Sequence, residues 1–159
     1  MKWVTRERPK IDRVACPWLI ARFIDDRPEF LFVPPADVMR VAAETGATPY
    51  DVEGVELSHD GALCSFDAFI RKYGLGGNEA LARLAIIVRG ADTARLDLAP
   101  ECAGLLAVSL GLSRLFHDDH EQLTHGFTMY DALYAWHTQA RDERHTWNPQ
   151  RGGATVHGG

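Results

Sequence analysis

The sequence predicts an α+β fold that is mostly helical, with a small N-terminal β-sheet packed against about five or six helices. Strand-like and helix-like segments alternate in the first third of the chain, whereas from residue 65 onward the apolar residues recur at helical spacing. The composition, 46% hydrophobic and 25% charged over 159 residues, is that of a globular domain with one core. We expect residues 1–149 to form a single domain and the glycine-rich residues 150–159 to form a disordered tail.

The N-terminal third contains the predicted sheet. Residues 2–5 (KWVT) and 30–33 (FLFV) are rich in β-branched and aromatic side chains, which indicates strands. Between them, Pro17 and the apolar residues that follow predict a helix with the proline at its first position, where the missing N–H costs nothing. Residues 36–45 are expected to form a second helix, and residues 50–57 a short strand or hairpin interrupted at a glycine.

The middle of the chain has the spacing of two consecutive helices. Apolar side chains recur every three or four residues over residues 66–73 and again over residues 81–88. Gly74 and Gly90 follow these two stretches. We therefore expect the first helix to end at Gly74 and the second to end at Gly90.

Two further helices are predicted in the C-terminal third. The first begins at Pro100 and runs to about residue 115, and the second runs from Asp118 through residue 136 towards residue 144. Asp118 and Glu121 form a D-x-x-E pattern, in which an acidic side chain caps the first backbone N–H groups of a helix. Asp118 is therefore predicted to be a helix cap rather than a ligand.

Charge and cysteine content exclude several classes of protein. The net charge is −5, from 17 basic and 22 acidic residues, and no run of Lys or Arg is present, so nucleic-acid binding by this chain alone is not expected. The three cysteines form no Cys-x-x-Cys pair, which argues against a disulfide framework or a zinc finger and favours a reducing compartment. The N-terminus lacks the pattern of a signal peptide, and no apolar run is long enough to span a membrane. We expect a cytoplasmic protein without a membrane partner.

The segment from His117 to His125 is the densest in potential metal ligands. On a helical wheel, His120 lies at the edge of the apolar face, and His117, Glu121 and His125 lie on the adjoining polar arc. Imidazole together with carboxylate suits a divalent ion such as Zn, Fe or Mn. The alternative is a capped helix start with surface histidines, because short runs of His and acidic residues are common.

The remaining ligands of such a site must come from another part of the chain. His59, in the segment ELSHDG, is the first choice because it stands where a strand end leads into a glycine turn, a place where functional side chains are displayed. Asp92 is equally well explained as a ligand or as a turn residue. We predict a divalent metal site formed by His59, Asp119, His120 and His125.

A second candidate site lies near the N-terminus. Cys16 at the predicted start of a helix, with Arg13 and Lys10 nearby, is an arrangement that lowers a thiol pKa and binds a small oxyanion. The alternative is that Cys16 is simply a small buried hydrophobic residue.

A family resemblance is carried by eight segments: residues 2–10 (KWVTRERPK), 12–20 (DRVACPWLI), 30–34 (FLFVP), 54–59 (GVELSH), 64–67 (CSFD), 87–93 (IVRGADT), 118–120 (DDH) and 130–136 (YDALYAW). Together they resemble the C-terminal domain of the chromate-resistance ChrB family. The resemblance implies a role in bacterial chromate resistance, in which ChrB is described as a chromate-responsive regulator. The N-terminal half of that family's pattern is not in this sequence, so a DNA-binding role is not expected here.

These observations lead to a functional prediction. We expect a chromate-resistance accessory domain that binds a divalent metal ion and acts in the chromate response or in redox detoxification. If it is an enzyme, it is a metal-dependent redox enzyme. The alternatives are a non-catalytic sensor of chromate or another small oxyanion, with Lys10, Arg13 and Cys16 as its site, or a protein-interaction module that forms a homo-oligomer.

Overall fold

The computed structural model describes residues 1–147 and residue 149, and it contains a parallel sheet of three strands. The strands are β1 (Lys2–Arg6), β2 (Glu29–Val33) and β3 (Thr48–Pro49). β1 is central, in the order β2-β1-β3. Trp3 in β1 pairs with Phe30 in β2 on one side and with Thr48 in β3 on the other. The predicted strands at residues 2–5 and 30–33 are confirmed.

Six α-helices make up most of the rest of the described chain: α1 (Asp12–Leu19), α2 (Val38–Thr45), α3 (Ser65–Lys72), α4 (Glu79–Asp92), α5 (Cys102–Leu115) and α6 (Asp119–Ala135). α1 continues as a π-helical segment over Ile20–Ile24, and α6 continues as another over Trp136–Ala140. The predicted α+β class, with a small sheet and about six helices, is confirmed. None of the helices in the described residues has the length and apolar character needed to cross a membrane.

The two faces of the sheet are covered by different helices. Trp3 packs its ring against Phe69 and Tyr73, with ring centroids 5.8 and 6.3 Å apart, within the main core formed with α1, α3, α4 and α6. The next residue, Val4, points to the opposite face and packs with Val38 of α2 and Ala47. This division follows from the alternation of side chains along a strand.

The parallel arrangement brings the carboxyl ends of the strands to one edge of the sheet. Arg6 ends β1, Val33 ends β2, and Pro49 ends β3. In open sheets of this kind, ligands bind in the crevice outside the carboxyl ends of the strands. The segments that follow β1 and β3 therefore supply the first residues of the candidate site.

The last two helices begin close to the predicted positions. α5 begins at Cys102, two residues after the predicted start, and ends at Leu115 as expected. Asp118 caps α6 by accepting a hydrogen bond from the backbone N–H of Glu121 at 2.8 Å. The predicted role of Asp118 is confirmed. The predicted disorder of residues 150–159 concerns residues outside those that the structure describes.

The first helix begins earlier than the sequence predicts. The N–H of Ala15 donates to the carbonyl of Ile11 at 2.9 Å, so the helix starts at Asp12 and Pro17 lies in its second turn instead of at its first position. The prediction placed the start at the proline because proline is favoured there. A proline in the second turn removes a single backbone hydrogen bond, and burial of nearly the whole helix offsets that cost.

Two other predictions of local structure are wrong. Residues 50–57 form turns instead of a strand or hairpin, and Asp51 and Gly54 adopt φ values of 52° and 84°, which interrupt an extended chain. α4 does not end at Gly90 but continues to Asp92. A Cβ atom at position 90 would lie 2.3 Å from Cys102 Sγ, so this glycine allows α5 to approach α4 closely.

Candidate metal centre

Four ionisable side chains meet at the carboxyl edge of the sheet: Asp12, Asp51, His59 and Asp92. Asp12 is the first residue of α1, which follows β1, and Asp51 lies two residues after β3. His59 belongs to the loop that precedes α3, and Asp92 is the last residue of α4. The site is therefore assembled from four separate segments of the chain.

His59 lies at the centre of this group. Its Nε2 atom is 3.0 Å from Asp92 Oδ2, 3.4 Å from Asp51 Oδ1 and 3.6 Å from Asp12 Oδ2. Ions such as Zn²⁺ hold nitrogen and oxygen ligands at about 2.0–2.2 Å, which places two ligand atoms on one ion roughly 3–4 Å apart. Ligand atoms of Asp12, His59 and Asp92 all lie within 4.8 Å of one another, and no other group of three such side chains is this close in the described part of the chain.

Asp12 is the most deeply buried member of the group. Its side chain is 1% exposed, and its two oxygens accept hydrogen bonds from the backbone N–H groups of Ser65 at 2.7 Å and Phe66 at 3.0 Å. These groups belong to the first turn of α3, where the helix dipole favours a negative charge. Burial, followed by the nearby carboxylates of Asp92 and Asp51, nevertheless raises the pKa of Asp12 well above 3.8.

Asp51 connects the acidic group to two arginines. Its Oδ2 atom accepts a hydrogen bond from Arg6 Nη2 at 3.0 Å and lies 3.4 Å from Arg13 Nε, while its Oδ1 atom accepts one from the Ser65 hydroxyl at 2.7 Å. The φ of 52° at Asp51 is in the left-handed region, which non-glycine residues adopt mainly at turns and functional sites. The carboxylate is thus held in place from three directions.

Asp92 occupies a position that α4 itself does not favour. A carboxylate in the last turn of a helix opposes the helix dipole. Burial, followed by the charge of Asp51, raises the pKa of Asp92, whereas its nearness to His59 acts in the opposite direction. The Oδ1 atom accepts a hydrogen bond from the backbone N–H of Asp12 at 3.3 Å, which links the end of α4 to the start of α1.

The group has more acidic side chains than arginines beside it and is open on one side. Three carboxylates face two arginines, and both arginines approach the same oxygen of Asp51. The side chain of His59 is 42% exposed, whereas those of the three aspartates are mostly buried. A divalent cation entering beside His59 would offset the repulsion among the three carboxylates.

The other predicted metal ligands have different surroundings. Asp119 lies beside Arg8, whose backbone N–H donates to it at 3.1 Å. His120 packs edge-on against the ring of Phe32, and His125 stacks on Phe116 with ring centroids 4.0 Å apart. The structure brings His59 together with Asp12, Asp51 and Asp92 and does not include Asp119, His120 or His125 in that group.

The predicted anion-binding residues are also in three different environments. The guanidinium of Arg13 donates to the carbonyls of Arg6 and Glu7 and lies beside Asp51. The Cys16 thiol donates to Asp12 Oδ1 at 3.3 Å, and burial raises the pKa of this thiol, so the expectation of a lowered value is wrong. Lys10 lines a separate cleft of about 330 Å³ with Arg8 and Arg114.

Sequence reasoning did not single out Asp12 or Asp51. Each follows a strand of a parallel sheet, and residues in that position meet at the carboxyl edge. That signal depends on recognising β3, which is only two residues long. The sequence explained Asp92 equally well as a ligand or as a turn residue. This residue reaches the group because α4 extends past Gly90.

Comparison with known proteins identifies the family. Residues 3–137 match the family model described as "ChrB, C-terminal domain". The chain is 32% identical over 140 residues to Protein ChrB of Cupriavidus metallidurans; this match covers 88% of the chain and 42% of that relative's length. No solved structure is significantly similar. The chain therefore belongs to the ChrB C-terminal domain family.

Proposed function

We propose that this chain acts in chromate resistance as a domain that binds one divalent metal ion through Asp12, His59 and Asp92. The observation that carries the metal proposal is the convergence of these three side chains, with Asp51 Oδ1 only 3.4 Å from the same imidazole nitrogen. Membership in the ChrB family supports the chromate role. The chain spans less than half of the curated relative that it matches, so the role of the whole relative is applied here as part of the proposal.

The donor set favours particular ions. Carboxylate oxygens suit Mn²⁺ and Fe²⁺, and imidazole nitrogen suits Zn²⁺ and Fe²⁺, so a site with one imidazole and two or three carboxylates accepts Zn, Fe or Mn. Asp12 is oriented by hydrogen bonds from α3 and Asp51 by hydrogen bonds from Ser65 and Arg6. Outer contacts of this kind fix the direction of a ligand's lone pairs. The exposed side of His59 leaves room for water or another ligand on the ion.

Metal content tests the proposal directly. The protein is purified without a histidine tag, and elemental analysis follows dialysis against Zn²⁺, Mn²⁺ or, without oxygen, Fe²⁺. We expect one ion per chain in the wild type and a loss of that ion in His59→Ala and Asp92→Asn. His120→Ala is the matched control, because it removes an imidazole outside the group and should retain the ion.

Two results would count against the metal site. The absence of stoichiometric metal in the wild type under all three conditions would mean that the hydrogen bonds and the arginines stabilise the carboxylates without a metal ion. Loss of the ion in His120→Ala but not in His59→Ala would indicate that the ion binds at the start of α6 instead.

The role in chromate resistance needs a separate test. A chromate-sensitive bacterial strain expressing the wild-type chain is expected to grow at a higher chromate concentration than the same strain expressing His59→Ala at an equal protein level. Equal growth of the two strains would mean that chromate resistance does not depend on the metal site.

A further inference from the structure

A cleft of about 600 Å³ opens beside His59, on the exposed side of the candidate metal centre. It lies between the loop that follows β3 and the start of α2. The lining residues are Arg6, Pro35, Val38, Met39, Asp51, Val52, Glu53, Gly54, Val55, Ser58 and His59. Only His59 and Asp51 belong to the group of ionisable residues described above, so most of this surface has no part in holding a metal.

The size of the cleft indicates a ligand larger than a single ion. Pockets that hold small organic molecules have volumes of roughly 300–1,000 Å³. A hydrated ion or an inorganic oxyanion occupies a small part of such a space. The volume therefore fits an organic molecule of modest size.

The walls of the cleft are largely apolar. Pro35, Val38 and Met39 lie on the side of α2, and Val52 and Val55 lie in the loop that follows β3. Met39 is 56% exposed although it is a large apolar residue. Apolar side chains exposed in a concave surface are typical of binding sites, and methionine adapts its shape to a ligand. A ligand with an apolar body would cover this wall.

One end of the cleft is suited to a carboxylate on the ligand. Arg6 lines it with a side chain that is 39% exposed. Arg6 Nη2 is hydrogen-bonded to Asp51, while Nη1 has no hydrogen-bond partner among the residues that the structure describes. A metal ion beside His59 would place a second positive charge at the same end, so a carboxylate there could bind the ion and accept a hydrogen bond from Arg6.

Glu53 disfavours a second negative charge on the ligand. This exposed residue also lines the cleft. A second negative charge on the ligand would be repelled by Glu53, because bringing like charges together costs free energy. The ligand should therefore have a single carboxylate and no second acidic group.

We infer that this cleft binds a small organic monocarboxylate. The carboxylate of the ligand faces His59 and Arg6, and its alkyl chain packs against Met39 and Val52. The inference rests on the proposed metal site, because without the ion the aspartates would repel the carboxylate. Metal and carboxylate should accordingly strengthen each other's binding by the same factor.

Calorimetry on the zinc-loaded protein tests the ligand class with acetate, butyrate and hexanoate. Burial of each added methylene should strengthen binding by up to about fourfold, so hexanoate should bind up to about sixteenfold more tightly than butyrate. Adipate, which adds a second carboxylate to the same carbon chain, should bind more weakly than hexanoate. Met39→Ser should reduce the gain per methylene, whereas Leu96→Ser, at an exposed leucine outside the cleft lining, should leave it unchanged.

Zinc uptake is measured first, so the two proposals fail in different ways. If zinc binds but hexanoate binds no more tightly than acetate, the monocarboxylate is wrong and the metal site stands. If the gain in affinity per methylene is the same in Met39→Ser as in the wild type, the alkyl chain of the ligand does not lie in this cleft and the inference is overturned. If zinc does not bind, the calorimetry is repeated with whichever of Mn²⁺ and Fe²⁺ does bind, and if none of the three ions binds, both proposals fail.

Discussion

The substitution Asp92→Asn tests the metal site most sharply, because it keeps the shape of the side chain and removes one negative charge. Asp92 Oδ2 is the carboxylate oxygen nearest to His59 Nε2, at 3.0 Å, compared with 3.4 Å for Asp51 and 3.6 Å for Asp12. An asparagine still offers an oxygen to the backbone N–H of Asp12. The fold should therefore survive while the ion loses a charged ligand.

The size of the effect follows from linkage between binding and folding. A metal present at one hundred times its Kd stabilises the folded state by about 2.7 kcal/mol. In a domain of this length 1 kcal/mol corresponds to roughly 2–4 °C in Tm, so the wild type should gain about 5–11 °C. If Asp92→Asn weakens metal binding about one hundredfold, the gain at the same metal concentration falls to about 0.4 kcal/mol, or less than about 2 °C.

Thermal unfolding followed by circular dichroism, with zinc and then with a chelator, measures this difference. Asp60→Asn is the matched control, since Asp60 is adjacent to His59 in sequence but pairs with Arg71 and is 69% exposed. This control should show the full metal-dependent rise in Tm. A full rise in Asp92→Asn as well would refute the argument, because the carboxylate nearest to His59 would then have no part in binding the ion.

Two further predictions concern pH and packing. Without metal, the free energy of unfolding of the wild type should fall relative to that of Asp92→Asn as pH rises above about 4, because a raised pKa in the folded state favours folding only while the carboxyl group is protonated. Urea titrations from pH 4 to pH 8 measure this difference. A difference between the two proteins that does not change with pH would contradict the prediction. Gly90→Ala should destabilise the protein by about 1–3 kcal/mol, since the new Cβ would lie 2.3 Å from Cys102 Sγ. Gly111→Ala, where a Cβ meets no atom within 4 Å, should stabilise the protein by up to about 1 kcal/mol in the same urea assay, and equal effects of the two substitutions would contradict the packing argument.

The sequence by itself determined the fold class and most of the elements. The β-branched and aromatic residues of β1 and β2, and the helical spacing of apolar residues after residue 65, are local signals that the structure confirms. Asp118 was also predicted correctly as a cap, because capping depends only on residues three positions apart. His59 was singled out for its place beside a glycine turn, and it is at the centre of the acidic group.

Only the tertiary structure decided which residues accompany His59. Asp12, Asp51 and Asp92 are far apart in sequence. Parallel pairing of β1 with β3 brings the segments after these strands to one edge, and α4 reaches Asp92 by continuing past Gly90, where the missing side chain allows close contact with α5. Neither contact is visible in the local pattern, since one depends on a two-residue strand and the other on a glycine that usually ends a helix. Burial likewise raises the pKa of Cys16 where the local sequence suggested a lowered value, because the thiol lies in the core beside the carboxylate of Asp12, which was not predicted to be its neighbour.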